Sequence, residues 1–337
     1  MSTMKRRVAT IVEPKKFEIL EEELPKLKED EVLLRIQSCG LCHSDVPVYL
    51  GEKQLVGQVL KGKSQFKVTD QVKFPAIVGH EPVATIEDKG SKVTEFEVGD
   101  WVSGWKRECF TDYLVADTSK LVKLDTEIKE KKKCLVEPMT CVTNILRAAN
   151  PKLGDSVVII GCGVMGLLCI GGLKNSGAFT IVAADFFDSR LKKAQELGAT
   201  HLVNAQKEDT VAVVNDLTNG NGADIVIEIT GKMAGFHTAC QIIKRKGKIL
   251  IPSLYAKPEP MQSGFYLMLK APIIHSTHPF YSDDYDRDMK IAYESYKKGI
   301  LPMNQLVTHS FKFEDINKAF EKLVSGDEDL IKGIVEM

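Results

Sequence analysis

Residues 155–166 read DSVVIIGCGVMG. A run of β-branched apolar residues ends at Gly161 and turns into G-x-G-x-x-G, formed by Gly161, Gly163 and Gly166 with Val164 and Met165 inside the turn. The pattern alone also occurs in ordinary turns, so its setting carries the reading. It follows a strand-like run and opens the helix-like stretch GLLCIGGLKNSG (166–177), and Asp185 closes the next run, TIVAAD (180–185), 19 residues beyond Gly166. Gly161 allows the tight turn, Gly163 lets the backbone approach a pyrophosphate, and Gly166 lets helix and strand pack closely. The helix N-terminus offers free N–H groups and a positive dipole end to phosphate. Asp185 accepts hydrogen bonds from both ribose hydroxyls and repels a 2′-phosphate, which favours NAD over NADP. The first cation beyond it, Arg190, is the residue able to meet a phosphate. The competing reading is a doubly wound fold that holds no nucleotide.

Outward from this stretch the texture repeats. Strand-like runs ATHLVNA (199–205), ADIVIEIT (223–230), GKILIPSL (247–254) and PIIHST (272–277) follow. Amphipathic stretches such as DSRLKKAQELG (188–198) and TVAVVNDLTN (210–219) lie between them. Continuous apolar strands separated by helices predict a parallel sheet covered on both faces. YDRDMKIAYESYKKG (285–299) reads as one helix with a glycine stop. QLVTHSFKFEDINKAFEKLVSG (305–326) reads as strand, turn and helix capped by Gly326. The first 130 residues differ. Short alternating runs such as EVLLRIQSCG, VATIEDKG and GDWVSGW predict a barrel-like β domain. The 337 residues are thus an α/β chain of two domains.

The β-rich half holds a second motif group. CGLCHSD (39–45) precedes VGHE (78–81). Cys42 and His80 are soft and borderline donors of the kind zinc prefers, and Asp45 and Glu81 are carboxylates placed to orient them. Cys39-x-x-Cys42 could instead be half of a Cys₄ site or a redox pair. No second C-x-x-C exists, and the pair does not open a thioredoxin-like βαβ unit, so Cys39 is assigned to the core. Alone, His80 reads as a turn histidine. Lys+Arg of 45 against Asp+Glu of 46 leaves a net charge of −1, which argues against a nucleic-acid partner. The run Lys131–Lys133, flanked by Glu127 and Glu130, reads as a solvated helix face. No run reaches the roughly 18 apolar residues of a membrane span, and the N-terminal stretch lacks a secretory pattern. The expected location is the cytoplasm. The eight cysteines are expected to be thiols there, with Cys162 and Cys169 buried as small apolar groups.

CGLCHSD, then GHE, then Val136-Glu137-Pro138, then GCGVMG with Asp185, in that order, resemble the zinc-dependent medium-chain alcohol dehydrogenase family, in particular its polyol (sorbitol-dehydrogenase-like) branch. The likeness runs over nearly the whole chain, including VTHSFKFEDINKAF. It implies a GroES-like catalytic domain, 1–137 with 282–337 returning to it, and a Rossmann NAD-binding domain over 138–281. It implies one catalytic zinc on Cys42 and His80. Glu137 stands where ethanol-type members have a third cysteine and polyol-type members a glutamate. Glu81 can approach the metal instead, and Cys134 and Cys141 flank the position; Glu137 is the favoured third ligand because it holds the E-P position. Ser44 matches the hydroxyl that relays the substrate proton, and Asp45 the carboxylate behind the ligands. Three departures stand out. Only Cys109 lies between His80 and Cys134, so no structural zinc is expected. Pro47 replaces the histidine that ends the relay in many members, leaving His43 or solvent to complete it. The segment between Asp45 and Gly79 is longer than usual and lies where it could shape a substrate entrance. The expected activity is hydride transfer between NAD(H) and a secondary alcohol or ketone, with a polyol or sugar derivative as substrate. A zinc-free enone or quinone reductase and a non-catalytic redox sensor are the alternatives. The family is commonly dimeric or tetrameric through the edge of the Rossmann sheet, here near PIIHST.

Overall fold

The computed structural model describes residues 4–52, 54–60, 63–69, 72–255, 260–279 and 282–337. Contacts gather the chain into two compact units, 1–137 with 307–337 and 138–306. The sequence reading put the return to the first unit at 282; in the structure it comes at 307. The helix Tyr285–Lys297 turns Met289, Ala292 and Tyr293 inward within the second unit. Its fully buried Asp288 pairs with Arg147 and accepts from Ser282 Oγ at 2.6 Å. Periodicity marks that inward face but not which core it meets.

In the first unit the strand Glu31–Gly40 is the hub. Val32, Leu34 and Ile36 alternate inward with the two-residue period of a strand. It pairs antiparallel with Pro82–Lys89, Tyr113–Asp117 and Lys332–Glu336. The register sets Cys39 beside both Pro82 and Val335. That brings the CGLCHSD turn, the GHE turn and the last strand of the chain to one end of the sheet. Ile316, Ala319, Phe320 and Leu323 give the helix Ile316–Ser325 one apolar face at helical spacing, and Gly326 ends it with φ of +69°. The Phe320 ring lies 4.8 Å from Phe17, 5.0 Å from Tyr49 and 5.6 Å from Phe110. Full burial of such a ring is worth about 2–3 kcal/mol, and it ties the C-terminal segment to the N-terminal strands.

Two expectations change here. Lys131–Lys133 is a single 3₁₀ turn, not a solvated helix face. Lys131 Nζ donates to the Thr126 and Ile128 carbonyls at 2.8 Å, which closes a local loop, and Lys132 pairs with Glu336 in the distant strand Lys332–Glu336 at 2.7 Å. In the long segment before Gly79, Gln54–Leu60 and Lys63–Thr69 form an antiparallel hairpin. Residues 53, 61–62 and 70–71 of that segment lie outside the described residues.

The second unit is built on a six-stranded parallel sheet. Its order is His201–Asn204, Thr180–Asp185, Ser156–Ile160, Ala223–Glu228, Ile243–Ile251 and Ile273–Ser276. The chain winds outward from Ser156–Ile160 in both directions. The strand order therefore reverses between Ser156–Ile160 and Ala223–Glu228, the point where such sheets open a crevice at their carboxyl ends. Val157–Ile160 and Ile181–Ala184 are buried, as continuous apolar strands in a covered sheet must be. Among the described residues no helix is long and apolar enough to cross a membrane.

Candidate metal centre and dinucleotide loop

The end of the hub strand delivers the first ligand candidate. Gly40 and Leu41 lead to Cys42, which precedes the 3₁₀ turn His43–Asp45. Gly40 N–H donates to the Glu81 carbonyl at 3.0 Å, pinning the two motifs together. A Cβ on Gly40 would lie 1.9 Å from Glu81 Oε2, so any side chain there would displace the Glu81 carboxylate. Gly79 has φ of +93°, the left-handed region that glycine enters freely, and it aims His80 and Glu81 inward.

The sulfur of Cys42, a ring nitrogen of His80 and a carboxylate oxygen of Glu81 lie within 4.8 Å of one another. Donors around a zinc at 2.0–2.3 Å sit about 3.3–3.8 Å apart, so this thiolate, imidazole and carboxylate set fits the ion after a small closure. Asp45, itself buried, holds His80 Nδ1 at 3.3 Å and leaves Nε2 for the centre. Burial disfavours the charged imidazolium, yet Cys42 and Asp45 outweigh it and hold His80 far above its ordinary range. The pocket thus favours a positive charge between these groups. Ser44, exposed, places Oγ 3.3 Å from Cys42 Sγ and 3.4 Å from His80 Nε2. His43 is exposed on the same turn.

Glu137 is not among the three clustered donors. It is buried in the first turn of the helix Val136–Ala149, whose Val136 N–H donates to Ser103 Oγ at 3.1 Å. Ser103 in turn donates to the Pro82 carbonyl at 2.9 Å, which ties that helix start to the GHE turn. Cys134 and Cys141 are buried and also outside the cluster, and Cys39 is a core residue.

One residue of the centre went unnoticed in the sequence. Lys332, buried in the last strand, donates to Glu81 Oε1 at 2.7 Å and to the Leu41 carbonyl at 2.7 Å. Burial opposes its charge, but Glu81 and Cys42 more than offset this and raise its pKa. The only trace in sequence is a lone cation opening an apolar terminal strand, KGIVE.

In the second unit the three glycines differ in surroundings. Gly161 has φ of +103°. A Cβ on Gly166 would lie 1.9 Å from the Gly161 carbonyl oxygen, so the helix can start that close to the strand only without a side chain. Gly163, the N-cap of the helix Val164–Leu173, would meet nothing within 4 Å. Val164 and Met165, in the first turn, are half-buried. Asp185 accepts from Cys162 N–H at 2.6 Å and from Phe187 N–H at 3.0 Å, so its carboxylate lies against the glycine loop. The Arg190 guanidinium stacks 4.8 Å from the centre of the Phe187 ring. Cys162 and Cys169 are buried; burial pushes the Cys169 thiol up to about 12, which keeps it protonated and inert.

A GroES-like β domain carrying these donors, joined to a doubly wound sheet, defines a class of oxidoreductase, and comparison with known proteins agrees. The alcohol dehydrogenase GroES-like domain model matches residues 28–126, and the zinc-binding dehydrogenase model matches 164–292. The chain belongs to the zinc-dependent medium-chain alcohol dehydrogenase family. It is 28% identical to an uncharacterized zinc-type alcohol dehydrogenase-like protein, YdjJ, of Escherichia coli K12, over 99% of both chains. It is 26% identical to a sorbitol dehydrogenase of Bacillus subtilis, over 93% of this chain and 92% of that one. The crystal structure of an Escherichia coli oxidoreductase/dehydrogenase of unknown specificity superposes with a TM-score of 0.83, at 28% identity and 99% coverage of each chain.

Proposed function

We propose that this oxidoreductase is a zinc- and NAD-dependent dehydrogenase interconverting a secondary alcohol and a ketone, with a polyol or sugar derivative as substrate. The observation that carries the reading is the meeting of Cys42, His80 and Glu81, with Ser44 Oγ in reach of two of them. Cys42, His80 and a carboxylate hold the metal. Glu81 is the better-placed carboxylate, and Glu137 serves directly or through a water. Zinc held there would polarise the substrate oxygen and lower the pKa of its hydroxyl. Ser44 Oγ would accept the substrate hydroxyl's proton while passing its own on to exposed His43 or solvent, since Pro47 offers no relay. Asp45 keeps the His80 ring in one tautomer and orientation. Gly161, Gly163 and Gly166 with Val164 and Met165 cradle the pyrophosphate, and Asp185 binds the adenosine ribose. Arg190, already stacked on Phe187, is kept from a 2′-phosphate. A carboxylate where ethanol-type members have cysteine supports a polyol substrate, as does the sorbitol dehydrogenase relative. The hairpin 54–69 is the candidate for shaping the substrate entrance.

The same reading gives one zinc per chain, without a structural zinc, in a cytoplasmic homodimer or homotetramer. Oligomerisation through the sheet edge is supported by Ile273 and Ile274, 60% and 41% exposed on the edge strand Ile273–Ser276. Neither nucleic acid nor membrane is a partner.

The test is elemental analysis of purified protein together with NADH absorbance on a panel of polyols, simple alcohols and enones. About one zinc per chain and NAD reduction by polyols are expected. Cys42→Ala should lose zinc and turnover together while still binding NADH. Zinc-free protein that reduces enones would replace this reading with the reductase alternative. NADH binding without turnover on any substrate would favour the sensor.

A further inference from the structure

Among the described residues, the metal centre and the phosphate loop leave two fully buried acids unused: Asp288, which pairs with Arg147, and Glu228. Glu228 closes the strand Ala223–Glu228 and is fully buried. In register it sits beside Ile160, the residue before the glycine loop, at the reversal point of the sheet. A carboxylate so placed costs several kcal/mol to desolvate unless its oxygens are bonded. Both are. Oε1 accepts from Thr230 N–H at 2.9 Å and from the Thr230 hydroxyl. Oε2 accepts from the Tyr255 hydroxyl. Burial and the adjacent Glu228 push Tyr255 far above its ordinary ionisation range, so its hydroxyl stays a donor.

The consequence falls on Thr230. Its Oγ1 also accepts from Lys232 N–H at 3.1 Å, which shapes the turn 229–232. Its methyl faces Gly161: a Cβ added to Gly161 would lie 2.9 Å from Thr230 Cγ2. Ile229 N–H donates to the Ile160 carbonyl at 3.0 Å, so the turn runs alongside the start of the glycine loop. Gly235, in the first turn of the helix Met233–Ile242, approaches the same carboxylate: a Cβ there would lie 2.5 Å from Glu228 Oε1. A negative charge at that helix start is favoured by the helix dipole. One carboxylate thus ties together the turn 229–232, the helix behind it and Tyr255.

The geometry points to Glu228 as a positioning residue for the dinucleotide: acting through Thr230 and Tyr255, it holds the turn 229–232 against Gly161 as the wall of the crevice facing the phosphate loop. It touches no cofactor itself, being sealed from solvent. This inference rests on the proposed use of the glycine loop for a dinucleotide. The site lies wholly in the second unit, so it acts on nucleotide affinity and not on metal content.

The test uses the full chain with Glu228→Gln, Tyr255→Phe and Thr230→Val. NADH affinity is read by fluorescence, together with KM for NAD, kcat, zinc content and Tm. Glu228→Gln keeps the shape and removes the charge, Tyr255→Phe removes one bond and Thr230→Val two, so Glu228→Gln should weaken NADH binding about tenfold. Tyr255→Phe and Thr230→Val should weaken it severalfold. KM for NAD should rise more than kcat falls, with zinc content unchanged. If Glu228→Gln does not fold, the other two carry the test. NADH affinity within twofold of the unaltered protein, with only Tm lowered, would make Glu228 purely structural and overturn the inference while leaving the dinucleotide reading intact. Failure of the unaltered protein to bind NADH would overturn both.

Discussion

At the metal centre, Gly40 makes room for an atom the chain itself supplies, since a Cβ there would strike Glu81 Oε2 at 1.9 Å. In the dinucleotide loop, Gly163 makes room for nothing the chain owns, since a Cβ there would meet no atom within 4 Å. The first glycine is demanded by packing within the protein. The second is unexplained by packing, and on the proposed reading it leaves room for a pyrophosphate at the helix start. On that reading the two glycines differ in what they accommodate, one a neighbouring side chain and the other a ligand.

The largest effect expected bears on the centre where packing and chemistry coincide. Glu81→Gln should leave the Lys332 ammonium buried against a neutral amide, costing about 3–5 kcal/mol of stability. It should also lose zinc, and with it on the order of a thousandfold in kcat/KM. Glu137→Gln, one step removed from the clustered donors, should cost about tenfold with zinc retained. Metal analysis and steady-state kinetics on both variants decide the third ligand. Zinc loss in Glu137→Gln alone would reverse the assignment, and loss in Cys134→Ser or Cys141→Ser would replace both carboxylates.

A pair of alanines sharpens the glycine comparison directly. Gly40→Ala should lower stability by about 3 kcal/mol, measured by denaturant unfolding, because backbone or the Glu81–Lys332 pair must shift. Gly163→Ala, at φ of −70° and in open space, should leave stability unchanged and weaken NADH binding about tenfold. Equal losses of stability in the two variants would erase the distinction.

The comparison extends to cofactor choice. Asp185 leans on the Cys162 amide, and on the proposed reading it bonds the ribose hydroxyls and repels a 2′-phosphate. The preference for NAD over NADP in kcat/KM should be at least about a hundredfold, and Asp185→Ser should relax it. Comparable rates with both cofactors in the unaltered enzyme would mean that Asp185 faces away from the ribose.

The second unit was the more legible of the two. TIVAAD became the strand Thr180–Asp185, and DSRLKKAQELG became the helix Asp188–Leu197 with Gly198 at its end. Its loop, helix start and acidic residue lie within 25 residues, and local periodicity with glycine spacing suffices to bring them together. In the first unit, sequence supplied the donor types at Cys42, His80, Glu81 and Glu137 and favoured Glu137 as the third, whereas Glu81 is the carboxylate that clusters with Cys42 and His80. That was decided by the register that sets Cys39 beside Pro82 and Val335, since it turns Glu81 inward and carries Lys332 across 251 residues to meet it. The return of the chain at 307 and the burial of Glu228 were likewise decided in three dimensions. A chain segment records its own periodicity and the chemistry of its side chains. Which buried charge meets which counter-charge depends on strand register and on the core each inward face finds, and both are settled only when distant segments pack.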